Sequence, residues 1–271
     1  MHIYKLLKNI LVFISMSIIV AAGVESSAET SNPEIRSIRD TSFKSFIKQV
    51  KQNYGIQYAS RVEELFKILL KSEKATLSEK GPRFLEFDVL KMRETANKFQ
   101  TARVKNGNTM SVKDKCKISF TPRERCFIYI FKIETTGAIF SIFPRDEFSR
   151  QANSLTPNLT YFVPPMKKWL PFEKGYGKEA IILSAFTKRN QDIERLMEYF
   201  NDFSINNPIA NKENAKPLRE IPIINKGIGG LRKSEDRMIR LPFDEHGKFT
   251  ATEYIWEGNK FVITLWYKQI N

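Results

Sequence analysis

Two carboxylates in the run Phe84–Val89 have a spacing that could support acid–base chemistry. Side chains two positions apart in a β-strand share a face, so Glu86 and Asp88 would stand side by side. A pair of carboxylates is also how glycoside hydrolases cleave a sugar bond. The same alternation is produced by an edge strand with one exposed face, and we expect that simpler arrangement. A carboxylate-based hydrolase is therefore kept as an alternative.

Histidine, the usual general base near neutral pH, is scarce in this chain. The sequence contains two, His2 and His246. His246 lies in the run Asp244–Lys248, which has the composition of a turn, where an imidazole is usually solvated. The chain has no G-x-S-x-G motif and no recognisable metal-ligand spacing. We therefore predict no enzyme, no metal site and no cofactor.

The two cysteines of the chain, Cys116 and Cys126, leave two alternatives open. In an oxidising compartment a disulfide between them would close a short loop and stabilise the fold by roughly 2–3 kcal/mol. Strand geometry can instead hold their Cα atoms beyond the bridging range of about 7 Å. The second alternative is two separate buried thiols.

Aromatic and basic residues between positions 161 and 176 form the candidate ligand-binding group. Its members are Tyr161, Phe162, Lys167, Lys168, Trp169, Phe172 and Tyr176. Aromatic rings beside lysines can bind a glycan or a peptide by stacking, with the ammonium groups adding charge. The same residues could instead form a minor hydrophobic cluster under a long loop. Any ligand binding is expected here.

The first secondary-structure element predicted along the chain is helical. Between Thr41 and Ser72 apolar residues recur at helical spacing, with an interruption at Gly55. From Arg83 onward the pattern changes to short, aromatic-rich, alternating runs that are typical of strands. A later helix is predicted over about residues 190–203, and a long loop over about residues 206–233.

The strand candidates predict two β-hairpins. Cys126–Glu134 and Ala138–Phe143 flank a glycine turn, and both faces of the first strand are apolar, as in a strand buried on two sides. Phe249–Trp256 and Lys260–Tyr267 flank a second glycine turn. Many short strands between turns are typical of a β-sandwich. The predicted fold class is α+β and β-rich: an antiparallel β-sandwich-like domain with N-terminal helices and one later helix.

The first 28 residues have the features of a secretory signal peptide. Lys5 and Lys8 precede the uncharged apolar run Ile10–Val24, and small residues follow at Ser26–Ala28. That run has about 15 residues, fewer than the roughly 20 of a membrane-spanning helix, although an uncleaved anchor is the alternative. No later run is apolar enough to span a membrane. We expect a periplasmic or extracellular protein with a signal peptide over residues 1–28, a helical region over 29–81 and a β-rich domain over 82–271.

The basic composition predicts anionic partners. The formal net charge is +14, and removal of residues 1–28 would leave +13. Such an excess attracts lipid head groups, acidic glycans, cell-wall polymers or nucleic acid, although a solvated basic surface is the simpler alternative. The basic residues are spread along the chain, and no motif indicates nucleic acid specifically. The 21 phenylalanines exclude a disordered chain.

The run Cys126–Pro144 resembles a bacterial domain of unknown function, as do Asn153, the strand end Tyr161–Pro164 and the run Gly177–Ile181. That domain typically has an alternating Tyr and Phe strand, a glycine turn, a return strand ending in Phe-Pro, and a later Gly-x-Glu. The resemblance covers about residues 84–190. It implies a β-rich accessory module of exported bacterial proteins, found also beside peptidase or kinase modules, and it brings no catalytic residues.

These features favour an exported, non-enzymatic binding or scaffold protein of the bacterial cell envelope. Its expected partners are anionic envelope components or another envelope protein. A secreted effector or toxin-like protein acting on another cell is the first alternative. The hydrolase built on Glu86 is the second.

Overall fold

The computed structural model describes residues 33–71, 81–95, 98–145, 153, 155–165, 168–171, 175–206, 215–226, 228–240, 248–256 and 258–270. The expected signal peptide lies outside these residues. The chain divides into two units at Asp40, and Thr41–Asn271 form one compact unit, to which the following description of packing refers.

Two helices are described, α1 (Pro33–Leu70) and α2 (Gln191–Asn206). Helix α1 is interrupted at Gly55, whose φ of 85° is a conformation that glycine adopts at little cost. Helix α2 begins after Asn190, whose side-chain oxygen accepts a hydrogen bond from the N–H of Ile193 at 3.0 Å. The N-terminal helical region and the later helix predicted from the sequence are both present.

Thirteen strands are described, and they form two sheets. They are β1 (Arg83–Thr95), β2 (Lys98–Arg103), β3 (Asn108–Ser111), β4 (Asp114–Pro122), β5 (Phe127–Ile133), β6 (Ile139–Phe143), β7 (Tyr161–Val163), β8 (Leu170–Pro171), β9 (Gly177–Phe186), β10 (Asn225–Lys226), β11 (Ile228–Arg240), β12 (Lys248–Trp256) and β13 (Lys260–Ile270). Sheet A has the order β11-β12-β1-β4-β7, with β2 on β1 and β8 on β4. Sheet B has the order β10-β13-β9-β5-β6, with β3 on β13. The described pairs are antiparallel except β3 with β13.

The core has two layers, one on each face of sheet B. Ile128 and Ile130 of β5 join a cluster that also includes the apolar residues of sheet A. Tyr129 and Phe131, which alternate with them, join a second cluster that includes both helices. Sheet B is therefore buried on both faces, as the two apolar faces of this strand predicted. The β-rich, sandwich-like α+β fold class is confirmed.

One of the two predicted hairpins is present. Strands β5 and β6 pair directly, and the turn between them closes with a hydrogen bond from the N–H of Gly137 to the carbonyl of Glu134 at 2.9 Å. The second prediction is wrong, because β12 pairs with β1 and β11 in sheet A while β13 pairs with β9 in sheet B. The link around Gly258 therefore carries the chain from one sheet to the other.

The predicted long loop over about residues 206–233 ends earlier than expected, because β10 begins at Asn225 and β11 at Ile228. Strand β11 accounts for most of the difference. This strand includes Gly229 and Gly230 and several charged residues, which have low strand propensity. Its pairing with β12 supplies the backbone hydrogen bonds, with register shifts that accommodate the irregular sequence.

Two lysines from sheet B hold the C-terminal end of α1. The ammonium group of Lys260 donates hydrogen bonds to the carbonyls of Ile68 and Lys71, each at 2.6 Å. Lys226 also donates to the carbonyl of Leu70. The last carbonyls of a helix have no partner within the helix, and positive charge is favourable there. These contacts fix the end of α1 to the sheet.

Candidate functional site

Glu86 and Asp88 lie on the outer face of sheet A, and both are buried. Strand β1 has β12 on one side and β4 on the other, so the expectation of an exposed edge strand is wrong. Glu86 lies opposite Thr121 on one neighbour and opposite Glu253 on the other, and Asp88 lies opposite Ser119. The described face therefore carries a row of buried polar side chains.

Arg123 neutralises the two glutamates that lie opposite each other. Its Nη2 donates to Glu86 Oε1 at 2.7 Å, and its Nε is 3.5 Å from Glu253 Oε1. Like charges directly opposite in a sheet destabilise it, so the guanidinium is needed where it lies. A glycosidase needs one carboxyl group to donate a proton and a second to act as nucleophile or base at the substrate. Here both carboxylates are engaged by the same arginine.

Asp88 is held by a separate set of contacts. Its two oxygens accept hydrogen bonds from the backbone N–H of Thr252 at 2.9 Å and from its hydroxyl at 2.7 Å. Arg103 Nε is 2.5 Å from Asp88 Oδ1. Burial nevertheless raises the pKa of Asp88 to about 6, against the opposing effect of these partners. The group is a structural acid that titrates close to neutral pH.

A third set of charges lies between the sheets and was missed by the sequence analysis. Lys132 Nζ is 3.3 Å from Glu179 and 3.8 Å from Glu134, and the Tyr267 hydroxyl donates to Glu179 at 2.8 Å. The neighbouring glutamates outweigh the effect of burial and raise the pKa of Lys132. The one available signal was a single lysine inside the otherwise apolar strand β5.

Phe162 and Trp169, from the candidate ligand-binding group, converge on Lys117. The Lys117 ammonium lies 5.8 Å from the ring centroid of Phe162 and 5.4 Å from that of Trp169. It also donates a hydrogen bond to the carbonyl of Pro164 at 2.9 Å. Burial lowers the pKa of Lys117 to about 8. Lys117 was not identified as a candidate from the sequence.

The position of Lys117 explains these contacts. Val163 at the end of β7 lies opposite Ile118, and Leu170 at the start of β8 lies opposite Cys116. The chain therefore leaves the edge of β4 and returns to it on either side of Lys117. The Lys117 ammonium and the rings of Phe162 and Trp169 hold together the two ends of the segment between β7 and β8. A structural role is therefore enough to explain these three side chains.

The other members of the group differ in their exposure. Tyr161 is buried and stacks on Phe120 with a centroid distance of 5.5 Å. Lys168 is exposed next to Trp169. Tyr176 is 70% exposed and precedes β9 in sheet B. Lys167 and Phe172 lie outside the described residues. The same holds for His246, the turn histidine, which is not a member of this group.

Cys116 and Cys126 are both buried and are not joined by a disulfide. Cys116 lies within β4, opposite Lys91 of β1, whereas Cys126 lies beyond the end of β4 at Pro122. Burial raises the pKa of each thiol to about 12.

A further group of exposed and half-buried residues lies on sheet B. Lys178 of β9 is directly opposite Lys268 of β13, and Trp266 lies two positions before Lys268. The Lys178 ammonium is 5.7 Å from the Trp266 ring centroid. We call the surface formed by Tyr176, Lys178, Trp266, Lys268 and Ile270 the lysine-pair face. Within the described ranges neither lysine forms an ion pair.

Residues 109–189 match a family model, "Domain of unknown function (DUF4384)". The resemblance to a domain of unknown function is thereby confirmed, over a shorter range than the expected 84–190. The matched range includes Lys117 and Lys178, whereas β1 and β13 lie outside it. Comparisons with curated proteins and with solved structures find no match.

Two further properties hold for the part of the chain that the structure describes. None of its helices combines the length and the apolar character that a membrane crossing requires. The same residues contain no group of three or more His, Cys, Asp or Glu side chains arranged to hold a metal ion.

Proposed function

We propose that this protein is an exported, non-enzymatic binding or scaffold module of the bacterial cell envelope that contacts anionic components. The observation that carries the proposal is the direct opposition of Lys178 and Lys268 on sheet B, where Lys268 is exposed and Lys178 is half-buried. Like charges directly opposite each other in a sheet are destabilising. An anionic partner would relieve that repulsion and gain favourable contacts with both ammonium groups.

The buried charges support a binding role over the hydrolase alternative. Glu86 and Glu253 share Arg123, and Asp88 is paired with Arg103. These acids are therefore held within the fold by their basic partners. The hydrolase alternative would require Glu86 to leave Arg123 before it could reach a substrate, and no described contact favours that.

The test is fractionation of producing cells into cytosol, periplasm, membrane and medium, followed by washes of the membrane pellet with rising salt. We expect protein in the envelope fraction that salt releases, because ions screen exposed charges within about 10 Å at 0.1 M. Cytosolic protein would contradict export. Protein found in the medium would favour the secreted-effector alternative, and release by detergent alone would contradict electrostatic contact.

A further inference from the structure

One face of sheet B packs against the two helices, but other parts of the chain cover only part of that face. Residues 215–224 cross this face, with the N–H of Leu218 bonded to the carbonyl of Thr135 at 2.6 Å and the N–H of Ile224 bonded to the Thr264 hydroxyl at 3.0 Å. Beyond Thr264 along β13, exposure increases: Trp266 is half-buried, Lys268 is exposed and Ile270 is 40% exposed. The lysine-pair face is this uncovered part.

The side chains of the lysine-pair face share one side of the sheet. Trp266 packs against the helix-side cluster while Tyr267 joins the cluster between the sheets, so Lys268 points away from the inter-sheet core. Residues directly opposite in a pair share a face, which places Lys178 beside Lys268. The face therefore carries two adjacent lysine side chains, with the Lys178 ammonium near an indole ring. The exposed Tyr176 is close in sequence.

Trp266 is held in place from the neighbouring loop. Its backbone N–H donates to the Asn106 side-chain oxygen at 2.9 Å, and its carbonyl accepts from the N–H of Gly107 at 3.0 Å. A Cβ atom at Gly107 would lie 3.4 Å from the indole ring, so this glycine lets the ring and the loop pack closely. A ring fixed before binding loses little conformational entropy when a ligand stacks on it.

We propose that the lysine-pair face binds an acidic polysaccharide, an inference that rests on the proposed contact with anionic components. Carboxylate or phosphate groups of such a chain would neutralise Lys178 and Lys268. The apolar faces of its sugar rings would stack on Trp266 and Tyr176. An anionic membrane is the weaker fit, because among the described residues the exposed apolar side chains of this face are Tyr176 and Ile270, which offer little surface for insertion.

The test compares two double variants that remove the same charge. Lys178→Gln/Lys268→Gln changes the lysine-pair face, and Lys48→Gln/Lys51→Gln changes two exposed lysines of α1. Binding to polygalacturonate is measured by titration calorimetry near 0.1 M salt, after circular dichroism shows that each variant is folded. We expect the first variant to bind at least about tenfold more weakly and the second to stay within about threefold of the parent.

A third variant tests the aromatic part of the face. Tyr176→Ala removes an exposed ring without opening the core, and we expect binding about three- to tenfold weaker with an unchanged melting temperature. Unchanged affinity in this variant would overturn stacking on Tyr176. The same comparison uses phosphatidylglycerol vesicles and a single-stranded oligothymidylate as competing ligands.

Each remaining outcome separates the inference from the proposed function. Equal weakening in both double variants would assign binding to diffuse surface charge and overturn the site, while contact with anionic components would stand. Tighter binding to vesicles or oligothymidylate than to polygalacturonate, lost in Lys178→Gln/Lys268→Gln, would overturn the polysaccharide. Absence of binding to all three ligands, together with no salt-released envelope fraction, would overturn the proposed function as well.

Discussion

At the residue scale, Asp88 gives the protein a specific dependence of stability on pH. Burial raises its pKa from 3.8 to about 6, so between these values the folded state binds more protons than the unfolded state. The contribution of Asp88 to the free energy of unfolding must therefore fall as pH rises from about 4 to about 6. The fall is at most about 3 kcal/mol, because one pKa unit corresponds to about 1.4 kcal/mol.

Urea unfolding at pH 4, 5, 6 and 7 measures this contribution against the variant Asp88→Asn. The variant loses the ion pair with Arg103, so its absolute stability also changes, and the slope with pH is the informative quantity. We expect the parent to lose stability relative to Asp88→Asn across the window. Parallel pH profiles for the two proteins would contradict the raised pKa.

Cys116 and Cys126 should behave as two inert thiols in the folded protein. Both are buried, and a pKa of about 12 leaves almost no thiolate at neutral pH, which is the reactive form. An aromatic disulfide reagent should label neither cysteine in native protein and both in denaturant without a reductant. Failure to label either thiol after unfolding would show that the alternative disulfide forms.

At the element scale, Lys260 should stabilise the protein through the end of α1. Replacing it by Met leaves the carbonyls of Ile68 and Lys71 without its two charge-assisted hydrogen bonds, and we expect a loss of about 2–4 kcal/mol. Lys48→Met, on the exposed surface of the same helix, should change stability by less than about 0.5 kcal/mol. Chemical denaturation of both variants provides the comparison, and equal effects would argue against capping.

The elements themselves were easier to predict than their partners. The alternation around Tyr129 correctly predicted a strand buried on both faces, because that pattern depends only on neighbouring residues. The pairing of β12 with β1, and of β13 with β9, joins segments that are far apart in sequence, so the pattern around Gly258 could not show that the chain changes sheets there. The burial of Glu86 was missed for the same reason.

The candidate sites also depend on contacts between segments that are far apart in the sequence. Phe162 and Trp169 were identified from composition, but their common partner Lys117 emerges only when β7 and β8 pair with the same strand. The opposition of Lys178 and Lys268 depends on the register between β9 and β13. That register cannot be predicted from neighbouring residues in the sequence. The excess of basic residues, in contrast, follows directly from the composition.

At the scale of the whole molecule, α1 and sheet B share one hydrophobic cluster. Phe46, Val62 and Leu65 of α1 are buried in the same cluster as Phe131 and Ile182 of sheet B. The predicted domain boundary separates a helical region over 29–81 from a β-rich domain over 82–271. Without α1, the part of the helix-side face of sheet B that α1 covers would be exposed, and an exposed apolar face of this kind promotes aggregation.

We therefore expect residues 82–271 alone to aggregate or to bind a hydrophobic dye, and residues 41–271 to unfold in one cooperative transition. Tryptophan fluorescence, which reports on the sheets, and far-ultraviolet circular dichroism, which also reports on the helices, should then give the same midpoint for the longer fragment. Removing residues up to 81 deletes the contacts of Phe46, Val62 and Leu65 together with the helix end that Lys260 holds. A monomeric, cooperatively folded 82–271 fragment would show instead that sheet B is stable without α1.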